Sequence, residues 1–428
     1  MELTRNELAM LDGQKGLAIQ KAMELLVKYG EALGAERLVD TSNVAGVPGQ
    51  SSPFLHNYYK DYPGGKDVIF SHFDLDSDVV VDVPNTLVSS CHLQGGVDQA
   101  HPELFGVSAE TAELYQNSEN YAADHGIKIL KTCTPYLAGN VPVRGEHCAW
   151  MESSAVIYCN AVLGAYTNTE GRESTSAAMI TGKIPDWGLH KTENRYGSHR
   201  IDVEVSVKNV MDWGMLGYFS GKIVQEKIPV LNGNYSMPDL LCHKHFGAAA
   251  ASSGGVEMYH VVGATPEAET LEMAFGPKKP VEIIKYGETE RRQTYEDLNA
   301  RARDPQVDYI MLGCPHYSLE QIRDVCRLLE GKKISVNCNL WIFTSRFVKQ
   351  ISDQKGYSEI IRQAGGVILT DSCSAIGQAI PEGTKVVALD SAKQTHYLPA
   401  IMGIEAWFGS MEDCIDAALT GRWNGKAP

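Results

Sequence analysis

The sequence predicts a multi-domain α/β protein whose sheets are mostly parallel and doubly wound. Two observations lead to this prediction. The chain has 428 residues, and at ~150 residues per domain this length suggests two or three domains. Its C-terminal part alternates short apolar runs with amphipathic patterns such as SLEQIRDVCRLLEG, and strands that alternate with helices form βαβ units with right-handed crossovers. In such sheets, ligands bind beyond the carboxyl ends of the strands.

The N-terminal segment is predicted to form two helices. Apolar residues recur at near-helical spacing over 7–34, and glycines at 13–16 interrupt the pattern. A short strand then leads into a loop over 38–52 that is rich in Gly, Pro, Ser and Asn. Ser51 and Ser52 in this loop are candidate substrate-binding residues, and a solvated surface loop is the alternative interpretation.

The pattern becomes regular from about residue 280, so we place a domain boundary there. Residues 1–279 are predicted to form an N-terminal and central α/β region with room for two subdomains, and residues 280–428 a C-terminal domain of βα repeats. The strands predicted in the second part are 281–287, 307–313, 333–338, 365–371, 384–390 and 403–409.

Composition and charge exclude several classes of protein. Hydrophobic residues make up 43% and charged residues 21% of the chain, which is ordinary for a globular protein and not for a fibrous or disordered one. The formal net charge of −15 disfavours nucleic acid as a partner, because it repels a polyanion. Neither a secretory signal nor a run of 18 apolar residues is seen, so we expect no membrane association and a cytoplasmic location.

Three of the ten cysteines share one structural context. Cys133 lies two residues beyond a predicted strand at 127–131, and Cys314 and Cys373 each come just after a predicted strand. Because parallel strands present their carboxyl ends to one site, we expect these thiols to converge. Converging thiols in a reducing cytoplasm indicate a soft metal, either zinc or an iron–sulfur cluster.

The spacing of the cysteines bears on the choice between these metals. The chain contains no C-x-x-C pair, which disfavours a zinc ribbon or finger. A cluster held by three thiolates leaves one iron without a protein ligand, and that iron can act as a Lewis acid on a substrate oxygen. The alternative is a zinc-dependent or metal-free α/β protein in which the cysteines merely pack, since free cysteine is among the most buried residue types.

The motifs KTCTPYL, MLGCPHYS and LTDSCS, with AASSGGVEMYHVVGATPEA and an N-terminal LTRNELAMLDGQKG, resemble the large catalytic subunit of the aconitase X family. The resemblance spans nearly the whole chain. It implies an aconitase-superfamily fold and a hydro-lyase, that is, a lyase of the dehydratase type. It also implies a [4Fe-4S] or [2Fe-2S] iron–sulfur cluster held by Cys133, Cys314 and Cys373.

The family's known activities are the dehydration of cis-3-hydroxy-L-proline and of mevalonate 5-phosphate. Because the chain ends at Pro428 without a further domain, it resembles the heteromeric type, in which a separate small, swivelling subunit completes the enzyme. In the superfamily a serine of that small part acts as the general base. The general base is therefore expected outside this chain.

The expected reaction removes water from a small β-hydroxy carboxylate, converting cis-3-hydroxy-L-proline to pyrroline-2-carboxylate. The elimination needs a base, an electrophile at the hydroxyl and a cation at the carboxylate. Arg346 is the candidate anion anchor, because a guanidinium matches a carboxylate bidentately. His316 is a candidate donor to substrate or to a cluster sulfur. An ion-paired arginine and a structural histidine are the competing interpretations.

Mevalonate 5-phosphate is the second expected substrate. A phosphate group calls for a cationic pocket or for free N–H groups at a helix N-terminus. The candidate loops contain neither a phosphate-loop pattern nor a dense cluster of Lys and Arg. The sequence therefore favours the hydroxyproline type of substrate.

Overall fold

The computed structural model describes residues 1–48 and 65–428. In chain order, its strands are β1 Leu38–Asp40, β2 Asn43–Gly46, β3 Ser89–His92, β4 Ile127–Ile129, β5 Cys148–Trp150, β6 Lys183–Pro185, β7 His199–Val207, β8 Pro229–Tyr235, β9 His260–Val261, β10 Glu282–Tyr286, β11 Tyr309–Tyr317, β12 Asn339–Thr344, β13 Val367–Leu369, β14 Val386–Leu389 and β15 Glu405–Phe408. Its α-helices are Arg5–Leu11, Leu17–Ala32, Lys66–Ile69, Ala109–Asp124, Ser153–Ala161, Arg172–Thr181, Val210–Val224, Leu240–Gly254, Leu271–Phe275, Glu288–Leu298, Leu319–Leu329, Arg346–Gln354, Tyr357–Ala364, Ser374–Gly377, Ala392–Met402 and Met411–Thr420.

The two predicted N-terminal helices are confirmed. Thr4 caps the first one: its hydroxyl accepts the Glu7 N–H, and the Glu7 carboxylate accepts the Thr4 N–H at 2.7 Å. Gly13 and Gly16 both have positive φ, at 76° and 103°, a conformation that glycine adopts without steric strain. The turn between the helices therefore lies where the glycines interrupt the apolar pattern.

The first sheet has the strand order β4-β3-β2-β5 with all pairs parallel. The chain enters the sheet at the interior strand β2 and adds β3 and then β4 on one side of it. It then crosses over and adds β5 on the other side of β2. This is a doubly wound arrangement, and its switch point lies between β2 and β5. A short antiparallel pair, β1 with β6, lies outside this sheet.

The second sheet has the order β10-β7-β8-β9 and is also parallel. The helices Val210–Val224 and Leu240–Gly254 pack closely against each other, and a Cβ at Gly217 would lie 2.3 Å from the carbonyl oxygen of Phe246. The predicted strand 281–287 forms β10 and joins this sheet beside β7. The division into residues 1–279 and 280–428 stays a prediction.

The third sheet has the order β13-β12-β11-β14-β15, and every pair is parallel. It confirms the predicted doubly wound sheet, with a switch point between β11 and β14. The prediction of a strand at 333–338 is wrong. These residues form no strand, and the third-sheet strand that follows the helix Leu319–Leu329 is β12. Val336 is 98% exposed, whereas the Leu340 to Phe343 side chains are buried in the sheet.

Contacts between loops join the first and third sheets. The Thr370 N–H donates to the Asp98 carboxylate at 2.6 Å, and the Gly95 N–H donates to the Asp371 carbonyl at 2.6 Å. Both contacts lie just beyond strands, at the carboxyl ends of β3 and β13. Within the described ranges, no helix is both long and apolar enough to cross a bilayer.

Candidate functional site

The carboxyl ends of the first and third sheets face a common cavity of about 550 Å³, which we call the thiol cavity. This is the position in which doubly wound sheets bind ligands. Its walls include side chains from just beyond β2, β3, β4 and β5 and from the ends of β11, β13 and β14. Among them are Val47, Leu93, Gln94, Cys133, Met151, Glu152, Cys314, Cys373, Lys393 and Gln394.

The structure brings the three predicted cysteines together at this cavity. Cys133 lies four residues beyond the end of β4, and Cys373 precedes the short helix Ser374–Gly377 as its N-cap. Cys314 lies where the pairing of β11 with β12 shifts register. Gly313 allows this irregularity, because its φ is +97° and a Cβ there would lie 2.1 Å from the Phe343 carbonyl oxygen.

All three cavity thiols are buried, with exposures of 4%, 6% and 4% for Cys133, Cys314 and Cys373. Burial raises the pKa of each thiol, and for Cys373 it does so to about 12. The charge of Cys314 further raises the pKa of both Cys133 and Cys373. Burial therefore disfavours ionisation of the thiols, and a metal or another cation that compensates their charge would favour it.

Two of the three cysteine sulfurs each accept a hydrogen bond from an N–H group. The backbone N–H of His316 donates to Cys133 Sγ at 3.3 Å, and the Gln394 side-chain amide donates to Cys373 Sγ at 3.9 Å. Such donors stabilise the charge of thiolate ligands. They also fix the orientation of each side chain toward the cavity.

A largely buried ion pair forms another part of the wall. Lys393 Nζ lies 2.6 Å from Glu152 Oε1, and the Ser154 hydroxyl donates to the other carboxylate oxygen at 2.6 Å. Burial opposes the charge on Lys393, but Glu152 and the thiols Cys314 and Cys133 outweigh it and raise the lysine pKa. Sequence reasoning missed this pair, although Glu152 lies two residues beyond β5 and Lys393 four beyond β14.

Arg346 lies at the start of its helix and is not among the residues that line the thiol cavity. Its guanidinium binds both oxygens of Asp371, at 2.6 and 2.7 Å, and Glu119 at 2.8 Å. Two carboxylates already match its charge, so the role predicted for it as an anion anchor lacks support from this geometry. Among the described residues that line the cavity, the arginine is Arg172.

His316 lines the cavity, but both of its ring nitrogens have protein partners. Nδ1 accepts from the Thr132 hydroxyl and Nε2 donates to the Ser372 carbonyl, each at 2.9 Å. Burial lowers the pKa of His316 to about 4, so the ring is neutral and bridges the segments that carry Cys133 and Cys373. A ring donor role toward substrate stays a prediction. Ser51 and Ser52 lie outside the described residues.

Lys244 supports the segment that carries Cys314. It is 1% exposed, and its ammonium donates to the carbonyls of Pro315 and His316 at 3.3 and 2.9 Å and to the Gln321 amide oxygen at 2.6 Å. A buried cation with three acceptors fixes the backbone next to a cavity thiol. The motif MLGCPHYS marks this segment, but nothing in the sequence points to Lys244 as its partner.

Three family models cover most of this chain. They are described as the aconitase X first domain, matched by residues 1–193, second domain, matched by 197–296, and third domain, matched by 307–420. The chain belongs to the aconitase X family. The resemblance noted in the motifs is thereby confirmed.

Relatives within the aconitase X family carry two names. The chain is 37% identical to the phosphomevalonate dehydratase large subunit of Methanothermobacter thermautotrophicus, over 94% of this chain and 95% of that one. It is 33% identical to the cis-3-hydroxy-L-proline dehydratase of Hypocrea jecorina, over 100% of this chain and 70% of that one. The crystal structure of Thermococcus kodakaraensis aconitase X in its holo-form matches with a TM-score of 0.80 and 31% identity, covering 98% of this chain and 100% of that chain.

The thiol cavity fits the iron–sulfur cluster expected from the aconitase X resemblance. Cys133, Cys314 and Cys373 are free and buried, N–H groups donate to two of their sulfurs, and the Lys393 ammonium lies in the same wall, which suits thiolate ligands of a cluster. In the described part of the chain, no three His, Cys, Asp or Glu side chains are grouped to hold one metal ion. Ligands of a cluster bind different iron atoms and need not meet at one point.

Proposed function

We propose that this chain is the large subunit of an iron–sulfur dehydratase that acts on a small β-hydroxy carboxylate, with cis-3-hydroxy-L-proline as the first candidate substrate. The observation that carries the proposal is that Cys133, Cys314 and Cys373, all three buried, line one cavity between two sheets. The dehydratase names of the relatives support the same reaction class.

In this proposal the three cysteines hold the cluster, which supplies a Lewis acid for the departing hydroxyl group. The protein's own side chains prepare the site around it. Lys393 balances the negative charge of the thiolates, and Gln394 and the His316 backbone N–H orient two of them. Apolar wall residues such as Leu93 and Ile376 exclude water, which strengthens every electrostatic interaction inside the cavity.

The proposal includes a partner. Relatives that match this chain along most of its length are named large subunits, which supports a separate small subunit. That subunit would close over the thiol cavity and supply the serine base. A cytoplasmic location belongs to the same proposal and stays a prediction.

Mevalonate 5-phosphate is the second candidate substrate, because the relatives at 37% and 36% identity are named phosphomevalonate dehydratase large subunits. The charge of the cavity favours the first candidate. Among the described lining residues the cations are Arg172 and Lys393, and Lys393 is already paired with Glu152. One free cation suits one carboxylate better than a carboxylate together with a phosphate dianion.

The test is anaerobic purification with the small subunit, followed by iron and acid-labile sulfide analysis and turnover of both substrates. We expect iron and sulfide in the protein and conversion of cis-3-hydroxy-L-proline. Conversion of mevalonate 5-phosphate alone would establish the second candidate. A colourless protein without labile sulfide would instead support a zinc-dependent or metal-free protein with packed cysteines.

A further inference from the structure

Arg172 is the first residue of the helix Arg172–Thr181 and lines the thiol cavity together with Thr169. Its Nε is buried without a hydrogen-bond partner in the protein. Four other arginines with side chains no more than 35% exposed are each paired with a carboxylate, namely Arg195, Arg200, Arg291 and Arg346. In the parts of the chain that the structure describes, Arg172 has no such carboxylate partner.

We propose that Arg172 binds the carboxylate of the substrate. An unpaired guanidinium in a partly enclosed, mainly apolar site is unfavourable until an anion neutralises it. Its planar donors match a carboxylate in two parallel hydrogen bonds. The other cation of the wall, Lys393, has Glu152 as its partner. This inference rests on the proposed function and names the group of the substrate that this chain recognises.

The backbone that carries Arg172 is held in place, as an anchor requires. The Glu170 N–H donates to the Trp150 carbonyl at 2.9 Å, which attaches this segment to β5 in the first sheet. The Gly171 N–H donates to the Ser174 hydroxyl at 3.0 Å and closes the first turn of the helix. The backbone that carries the guanidinium is therefore already ordered, so only the side chain has to be ordered when the carboxylate arrives.

The experiment compares Arg172→Gln and Arg172→Lys in the anaerobic holoenzyme with its small subunit. Arg327→Gln is the matched control, because Arg327 has 68% side-chain exposure and lies on the helix Leu319–Leu329, outside the cavity lining. The readouts are KM and kcat for whichever candidate substrate the wild type converts, and the iron content. Equilibrium binding of L-proline and of L-prolinamide, which lacks the carboxylate, is measured in parallel.

We expect Arg172→Gln to raise KM about 100-fold, as loss of a charge-assisted bidentate contact does, with a smaller change in kcat and unchanged iron. The preference for L-proline over L-prolinamide should disappear in this variant and partly return in Arg172→Lys. An unchanged KM for the converted substrate in Arg172→Gln would overturn the inference, as would a wild-type preference for L-proline that this variant retains. If the wild type converts neither substrate, the proposed function fails, and the assignment of Arg172 stands only if Arg172→Gln loses a wild-type preference for L-proline over L-prolinamide.

Discussion

Cys314 and Cys414 are equally hidden from solvent, with exposures of 6% and 0%, but their surroundings differ. Cys414 lies in the helix Met411–Thr420 and packs in the apolar core against the third sheet. Cys314 lies inside β11, where the pairing with β12 shifts register, and lines the thiol cavity together with Glu152 and Lys393. Burial raises the pKa of both thiols, so burial does not distinguish a ligand from a packing residue. The proposed distinction between a ligand and a packing residue therefore rests on position relative to the sheet.

Replacing each of these two cysteines with serine is the strongest test of the comparison. Cys314→Ser should lower turnover more than 100-fold and deplete iron and labile sulfide, because a hydroxyl is a poor substitute for a thiolate ligand. Cys414→Ser should retain full iron. The measurement is iron and sulfide per chain after anaerobic purification, with turnover in the presence of the small subunit. Wild-type iron in Cys314→Ser would remove the distinction between the two sites.

The ion pair in the cavity wall provides a second test. Glu152→Gln should cost about 3 kcal/mol of unfolding free energy, because it leaves Lys393 buried and unpaired. Urea unfolding measures this loss. The surface pair Lys349–Asp353 is the control, and Asp353→Asn should cost less than about 1 kcal/mol. Equal losses for the two pairs would mean that the cavity wall is as well solvated as the surface.

A substitution of Lys244 tests whether the backbone next to Cys314 needs the lysine ammonium to keep its conformation. Lys244→Met should cost about 2 kcal/mol, because the carbonyls of Pro315 and His316 lose their charged donor. We also expect faster loss of iron to a chelator, and partial recovery in Lys244→Arg. Iron loss at the wild-type rate would show that the segment keeps its shape without this support.

A smaller effect than that of Lys244→Met is expected in the core. Cys414→Ala removes a buried sulfur from apolar packing and should cost about 1 kcal/mol. Iron content and turnover should stay at the wild-type level. A loss of iron in this variant would contradict the assignment of Cys414 to packing and would weaken the use of strand ends as a guide.

Much of the fold and the central part of the site could be predicted from the sequence. The alternation of strands and helices led to the third sheet, and the strand-end context singled out three of ten cysteines that meet at one cavity. The motifs led to the aconitase X family and to the dehydratase class, which the relatives confirm. These features are local in sequence, or follow from the rule that parallel strands share one edge.

Features that depend on distant partners could not be predicted. KISVNC and NLWIFT both favour a strand, and only packing of the completed sheet leaves Val336 exposed and buries Trp341. Arg346 and Arg172 both begin helices, and the sequence does not show that Glu119, 227 residues away, neutralises the first of them. Likewise, 241 residues separate Lys393 from Glu152.

The contacts between the loops beyond β3 and β13 have a consequence for engineering. Cys133 belongs to the first sheet's half of the molecule, whereas Cys314 and Cys373 belong to the third sheet's half. The bonds from Thr370 to Asp98 and from Arg346 to Glu119 hold these halves in register. A fragment that lacks one of the two halves would carry only part of the set of three cavity cysteines, so truncation for crystallisation or for chimeras should preserve both halves.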